Sequence, residues 1–411
     1  MDAALLHKTN KTVILKLIKE EKQISRSEIT RITGLTPPTI TRIVNELVDI
    51  DGLAEYVGVG NSNGGRPPVI VKFKNEGNYI IGIDLGATYI RGCLVDLEAN
   101  FVSEIQVPTE IKKGFDSIIE KVAHVINKLK KRKEKDSRIW GVGIGVAGLI
   151  NKETGIIESS PDFGWLNINL RKELEEKLDL PFFYDNSTRL MALGELNLGT
   201  HHNIKDFALI NIGYGIASGL VLEGKLVKGH AGFAGELGHI AVDTHSNVQC
   251  KCGMHGCLEA LASGHRIAKM GKKEMKANNA EILRDLCNNS PELITAELVA
   301  KAAKMGDTAC LKIYDDVAEY LCKGIGTIAN LFNPQTIFIG GGISLSGQFF
   351  FDLIDRKKSS YLLPANSNVQ ILPSSFGEQA TAIGAVSLVL NKIMKLELSA
   401  QEIPTAANKE Q

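Results

Sequence analysis

Two stretches of this 411-residue chain, YIIGIDLGATYIRGCLVDLEANFV from Tyr79 and DFALINIGYGIASGLVLEGKLV from Asp206, are built alike. Each is an apolar run of strand length, a glycine turn, a second apolar run, a polar turn and a third run. Asp84, Gly86 and Gly92 in the first have the spacing of Asn211, Gly213 and Gly219 in the second, 127 residues later. A glycine turn lets backbone N–H groups face a phosphate, although a single such hairpin is more often a plain turn. A third run, NPQTIFIGGGISLSG from Asn333, is a buried strand ending in glycines, and the stretch from 264 to 330 has helical periodicity. The pattern predicts an α/β chain with two similar lobes and a cleft between them.

The residues before the first copy are of another kind. Val13, Ile14, Leu17 and Ile18 form one helical stripe, and ISRSEITRITGL opens a second helix with Ser25 and Glu28 in capping-box spacing. Gly34 makes a turn, and TPPTITRIVNELV starts a third helix whose Pro37 and Pro38 are tolerated only in a first turn. Helix, short glycine turn and helix followed by a strand pair around a Gly/Asn/Pro tip predict a winged helix-turn-helix; a small bundle for protein contacts is the plainer alternative. Residues 1–75 carry eleven Lys/Arg against eight Asp/Glu, while the whole chain has 47 of each, so any nucleic-acid face is local. Ser25, Arg26, Thr36, Thr39, Thr41, Arg42, Asn45 and Arg66 are the candidate DNA contacts, with Arg42 first for a base edge and Arg66 for the minor groove.

No apolar run approaches the ~18 residues of a membrane span and the first residues lack a signal pattern, which predicts a cytoplasmic protein without a membrane partner. In that compartment Cys250, Cys252 and Cys257, three of seven cysteines, read as metal ligands rather than disulfides. With His239 upstream they complete a tetrahedral set for structural zinc, and His245 and His255 are alternative fourth ligands. Four protein ligands leave no open position for a metal-bound water. Glu236 and Glu259 flank the set and read either as site groups or as solvated carboxylates.

The motifs IGIDLGATYIRG, GVGIGVAGLI, SSPDFGW, DNSTRLMALGE, GFAGELGH, CKCGMHGCLE and NPQTIFIGGG together resemble the ROK family of repressors and sugar kinases, and the head with GGRPP resembles its repressor branch. The resemblance implies a winged head over 1–75 and a two-lobed actin-like (ribonuclease H-like) body. Its first lobe would span 78–200 with 380–395, its second 201–379, and 396–411 would be a disordered tail. It also implies a sugar pocket formed by Asp162, Asn186, Glu236, His239 and Glu259, its wall held by the zinc cluster. Trp165 reads as part of that wall or as core.

Several positions depart from the family's kinases. The catalytic aspartate stands eight residues before the last residue of MALGE, and here that is Ser187; Asp185 lies two residues too early. On an extended strand those two positions are about 7 Å apart, whereas a general base must come within roughly 3 Å of the hydroxyl it activates. Ala87 replaces a hairpin glycine, and Tyr214 and Ala217 alter the second hairpin, where a Cβ obstructs the approach of backbone to phosphate. The expectation is a sugar-responsive repressor that binds operator DNA as a homodimer or homotetramer and binds sugar without phosphorylating it. An active sugar kinase that also binds DNA is the alternative.

Overall fold

A computed structural model describes residues 2–59, 67–135, 137–201 and 203–398. The head follows from its caps. Asp2 accepts from Ala4 N to start α1 (Ala3–Glu20), and Ser25 and Glu28 close a reciprocal box at the start of α2 (Arg26–Thr33). Gly34, in the left-handed region at φ +69°, ends α2, and Pro37 and Pro38 occupy the first turn of α3 (Pro37–Asn45). Ile14, Leu15, Ile18, Ile29, Ile40, Ile43 and Val44 meet in its core. The strands β1 (Gln23–Ser25), β2 (Ala54–Val59) and β3 (Val69–Phe73) form an antiparallel sheet with β3 central. Arg66 and the rest of the wing tip lie outside the described residues, as does the tail from 399.

The body repeats one topology. In the first lobe β4 (Asn78–Leu85), β5 (Tyr89–Asp96) and β6 (Phe101–Pro108) form an antiparallel meander, followed by α4 (Phe115–Lys130). The next strand, β7 (Arg138–Val146), pairs parallel with β4. Short β8 (Leu149–Ile150), β9 (Ile157–Ser160) and β10 (Trp165–Ile168) make a small separate sheet, then α5 (Leu170–Glu175) leads to β11 (Phe182–Asn186), parallel to β7, and α6 (Ser187–Leu198). The order β11-β7-β4-β5-β6 returns in the second lobe. There β12 (Phe207–Ile212), β13 (Ile216–Leu222) and β14 (Lys225–Leu226) form the meander. The helices α7 (Leu258–Ala262), α8 (Gly264–Lys276), α9 (Glu281–Leu286), α10 (Ala296–Lys304) and α11 (Thr308–Phe332) follow. Then β15 (Thr336–Gly340), α12 (Gln348–Lys358) and β16 (Gln370–Pro373) complete the order β16-β15-β12-β13-β14.

The last helix, α13 (Ala380–Met394), is buried nearly all round and returns to the first lobe, packing on β4, β7 and α6. Glycines permit that approach. A Cβ on Gly143 would stand 2.0 Å from Ala385 O and one on Gly82 2.2 Å from Ala382 O, so helix and strands meet at backbone distance. The same hydrophobic cluster contains head residues such as Leu15 and Phe73, first-lobe residues such as Val95 and Trp140, and α13 residues such as Ile393. Polar bonds reinforce that junction. Trp140 Nε1 donates to Asn78 Oδ1 at 2.8 Å, and Asn78 Nδ2 lies 3.1 Å from Lys74 O and 3.5 Å from Gly52 O in the head.

Candidate functional site

Four of the expected groove residues, Thr36, Thr41, Arg42 and Asn45, are exposed on α3 or at its start, while Thr39 is half-buried and hydrogen-bonds Thr36 at 2.9 Å. Ser25 is buried, its hydroxyl engaged by Glu28 at the start of α2. Arg42 donates to His7 Nδ1 at 3.2 Å, and His7 Nε2 lies 2.8 Å from Glu46 Oε2. Since guanidinium only donates, Nδ1 is the acceptor and the imidazole proton sits on Nε2. Arg26 reaches from α2 to Asn45 Oδ1 at 2.7 Å and packs over the Tyr56 ring.

In the body, β11 ends where Asn186 caps α6. Its Oδ1 accepts from Thr188 N at 3.0 Å and Arg189 N at 3.2 Å, and its Nδ2 donates to Gly148 O at 3.0 Å. Ser187 is therefore the first residue of a helix and not, as the extended reading assumed, a neighbour of Asp185 on one strand face. Capping by Asn186 is the reason: it turns the chain between the two positions. Asp185 is itself buried and occupied. It accepts from Arg189 Nε at 2.9 Å and Nη2, and from Lys228 Nζ at 3.3 Å. Arg189 also donates to Gly232 O, tying α6 to the loop that follows β14.

Glu259 accepts from Ile216 N at 3.0 Å, a contact possible because residue 215 is glycine; a Cβ there would sit 2.3 Å from the carboxylate. Glu236 Oε2 is 4.0 Å from His239 Nε2, and burial raises its carboxyl above the ordinary range while His239 and Arg189 oppose the rise. Asp162 binds Lys251 Nζ at 3.0 Å, and that ammonium lies 4.3 Å from the Tyr214 ring centre. Lys251 also feels Glu259, and Glu236 feels His239, Arg189 and Glu259, so Asp162, Glu236, His239 and Glu259 are linked electrostatically, while Asn186 adjoins them through Arg189, whose backbone N–H donates to it. Trp165 packs against Phe163 and Phe115 in the first-lobe core. Within the first hairpin, burial pushes Asp84 up to about 7, opposed by Arg91 at 3.7 Å.

His239, Cys250, Cys252 and Cys257 bring their ligand atoms within 4.8 Å of one another. Cys252 and Cys257 sulfurs are 3.8 Å apart, and Cys250 Sγ is 3.6 Å from His239 Nδ1. Tetrahedral thiolates at about 2.3 Å from an ion lie about 3.8 Å from each other, so these donors fit a four-coordinate metal. His239, rather than His245 or His255, is the histidine gathered with the three cysteines, and its Nε2 lies 4.0 Å from Glu236 Oε2.

The pattern of the ROK family matches residues 80–392, which is most of the chain. The chain belongs to the ROK family. Within it, a winged helix-turn-helix DNA-binding pattern matches residues 9–51. This ROK chain is 31% identical over 392 residues to a xylose repressor of Caldicellulosiruptor bescii, spanning 95% of this chain and 97% of that one. A solved ROK family transcriptional regulator, a homologue of the Escherichia coli Mlc protein, superposes with TM-score 0.80 at 27% identity over 95% of this chain and 98% of the other. A ROK glucokinase from Streptomyces griseus, solved with glucose and AMPPNP, gives TM-score 0.70 at 28% identity, covering 75% of this chain and 98% of that one.

Sequence reasoning passed over Lys228, Lys251, Arg189, Tyr56 and His7. Only Arg189 carried a local signal, as the i+4 partner of Asp185 on what becomes the first turn of α6. The others act across 11 to 89 positions of sequence, where spacing says nothing.

Proposed function

We propose that this ROK protein is a sugar-responsive transcriptional repressor whose body binds a sugar and does not phosphorylate it. One juxtaposition carries the reading: a DNA-binding head joined to a kinase-like body in which Ser187 takes the position of the catalytic base and Asp185 is held by Arg189 and Lys228. The oxygens of Asp185 already accept from Arg189 and Lys228, and a serine hydroxyl is no base at neutral pH. Asp162, Asn186, Glu236, His239 and Glu259 contact the sugar, with Glu236 and Glu259 accepting hydroxyl donors. Xylose leads the candidates through the likeness to a xylose repressor, ahead of glucose and an N-acetylated hexosamine. Zinc in the His239, Cys250, Cys252 and Cys257 set is structural: those residues fold the loop that carries Lys251 and orient His239 Nε2 toward Glu236.

The head reads DNA through Arg26, Thr36, Thr39, Thr41, Arg42 and Asn45, with Arg66 in the minor groove. Two copies engage two half-sites, because one small head buries too little surface for tight specific binding. The protein acts in the cytoplasm, and the divisions at 75 and 200 with the return of 380–395 mark its units. The test is ADP release with Mg²⁺, ATP and the sugar that most raises the melting midpoint. The expected result is no turnover above the protein-free rate, alongside release from operator DNA on adding that sugar. Clear sugar-dependent turnover replaces the repressor-only reading with a bifunctional kinase.

A further inference from the structure

Beyond the presence of a DNA-reading head, the structure constrains which base edge it reads. Arg26, Asn45 and Tyr56 come from α2, α3 and β2 and meet on the exposed face of the head. Arg26 Nη2 lies 2.7 Å from Asn45 Oδ1, and Tyr56 Oη lies 2.7 Å from the same oxygen. Guanidinium has no acceptor, so the amide atom facing it is the oxygen and the orientation of Asn45 is fixed by chemistry. Arg26 also donates to Tyr56 Oη, which leaves the phenol proton for Asn45, and its guanidinium stacks 5.0 Å from the Tyr56 ring centre. Both lone pairs of Asn45 Oδ1 are thereby taken. Its Nδ2 meets no acceptor among the described residues and offers two donors outward.

An asparagine reads adenine by donating to N7 and accepting from N6 with its oxygen. Asn45 has no acceptor capacity left for the second bond. We infer that Asn45, with Arg26 beside it, is a donor-only reader that selects the paired acceptors of guanine, O6 and N7, and that Tyr56 is the positioning residue that makes it so. The inference rests on the repressor reading and adds to it the base at one operator position.

Full-length protein is used to enrich duplexes from a randomised library, and affinities for single-base variants of the winner are measured at fixed salt. Asn45→Ala identifies the position read by residue 45 as the one whose preference disappears. Guanine is expected there, with adenine bound roughly tenfold more weakly. Tyr56→Phe keeps the ring under Arg26 and frees one lone pair, so the guanine-to-adenine ratio falls toward one while preferences elsewhere and the melting midpoint hold. Asn45→Asp keeps an oxygen for both donors but has no N–H, and loses the guanine preference outright. Adenine preferred by the wild type, an unchanged ratio in Tyr56→Phe, guanine preference retained by Asn45→Asp, or a uniform loss across all duplexes in Asn45→Ala overturns the inference and leaves the repressor reading standing. Failure of the wild type to enrich any sequence removes both.

Discussion

Asp185 holds two cations of unequal standing: the side chain of Arg189 is 3% exposed and that of Lys228 46%. Removing the carboxylate strands a buried guanidinium, so Asp185→Asn is expected to cost about 3 to 5 kcal/mol in urea unfolding, whereas Lys228→Ala costs below about 1 kcal/mol. Asp84 makes the opposite case. Burial raises its pKa to about 7, so between the ordinary value near 4 and that pH the folded state binds the proton that the unfolded state has released. Stability then falls as pH rises through this window and stays lowered above it. Asp84→Asn is expected to gain roughly 1 to 3 kcal/mol at pH 7.5 and nothing at pH 4, read from midpoints of both proteins. Arg42→Ala, in the head, should weaken operator binding by about 1 to 3 kcal/mol and lower discrimination against scrambled DNA. Counting along one motif against the family resemblance is what proposes Ser187 for the base position. The occupation of Asp185 was not legible, because Lys228 comes from the other lobe.

At the scale of elements, the cysteine knuckle was readable from spacing, since metal ligands must crowd. What the knuckle holds was not: Lys251, between two of its cysteines, reaches Asp162 in the first lobe. Cys252→Ser is therefore expected to lose bound metal and sugar affinity together, by elemental analysis and calorimetry; a metal-free protein with full sugar affinity contradicts the structural role. Glycines were read less well. Those of IGIDLG and GVGIGV were read as parts of a hairpin and of a motif, with no packing role, yet Gly82 and Gly143 lie mid-strand and admit α13. Gly143→Ala places a methyl 2.0 Å from Ala385 O, and a backbone oxygen has no rotamer to escape into. A loss of about 3 kcal/mol is expected in denaturant unfolding. Strand period and composition could not show this, because the partner helix lies more than 200 positions downstream.

At the scale of the whole molecule, the duplicated pattern foretold two alike sheets, and both have the same strand order. It could not foretell that the head would share a core with the first lobe and α13. Through that core, sugar binding and operator binding can bias one another. A coupling of about 1 to 3 kcal/mol is expected, and by linkage operator DNA must weaken sugar binding by the same factor that sugar weakens DNA binding. Calorimetry with and without a saturating operator checks the equality.

One strand touches both ends of that exchange. From β7 the chain runs on to Gly148, whose carbonyl receives Asn186, and near the start of β7 Trp140 engages Asn78, which reaches Gly52 of the head. For a geneticist this predicts a particular class of allele. Selection for cells that stay repressed in the presence of inducer should return changes at Trp140 and Asn78 as well as at the pocket, and the proteins from the first group will still bind inducer and operator separately.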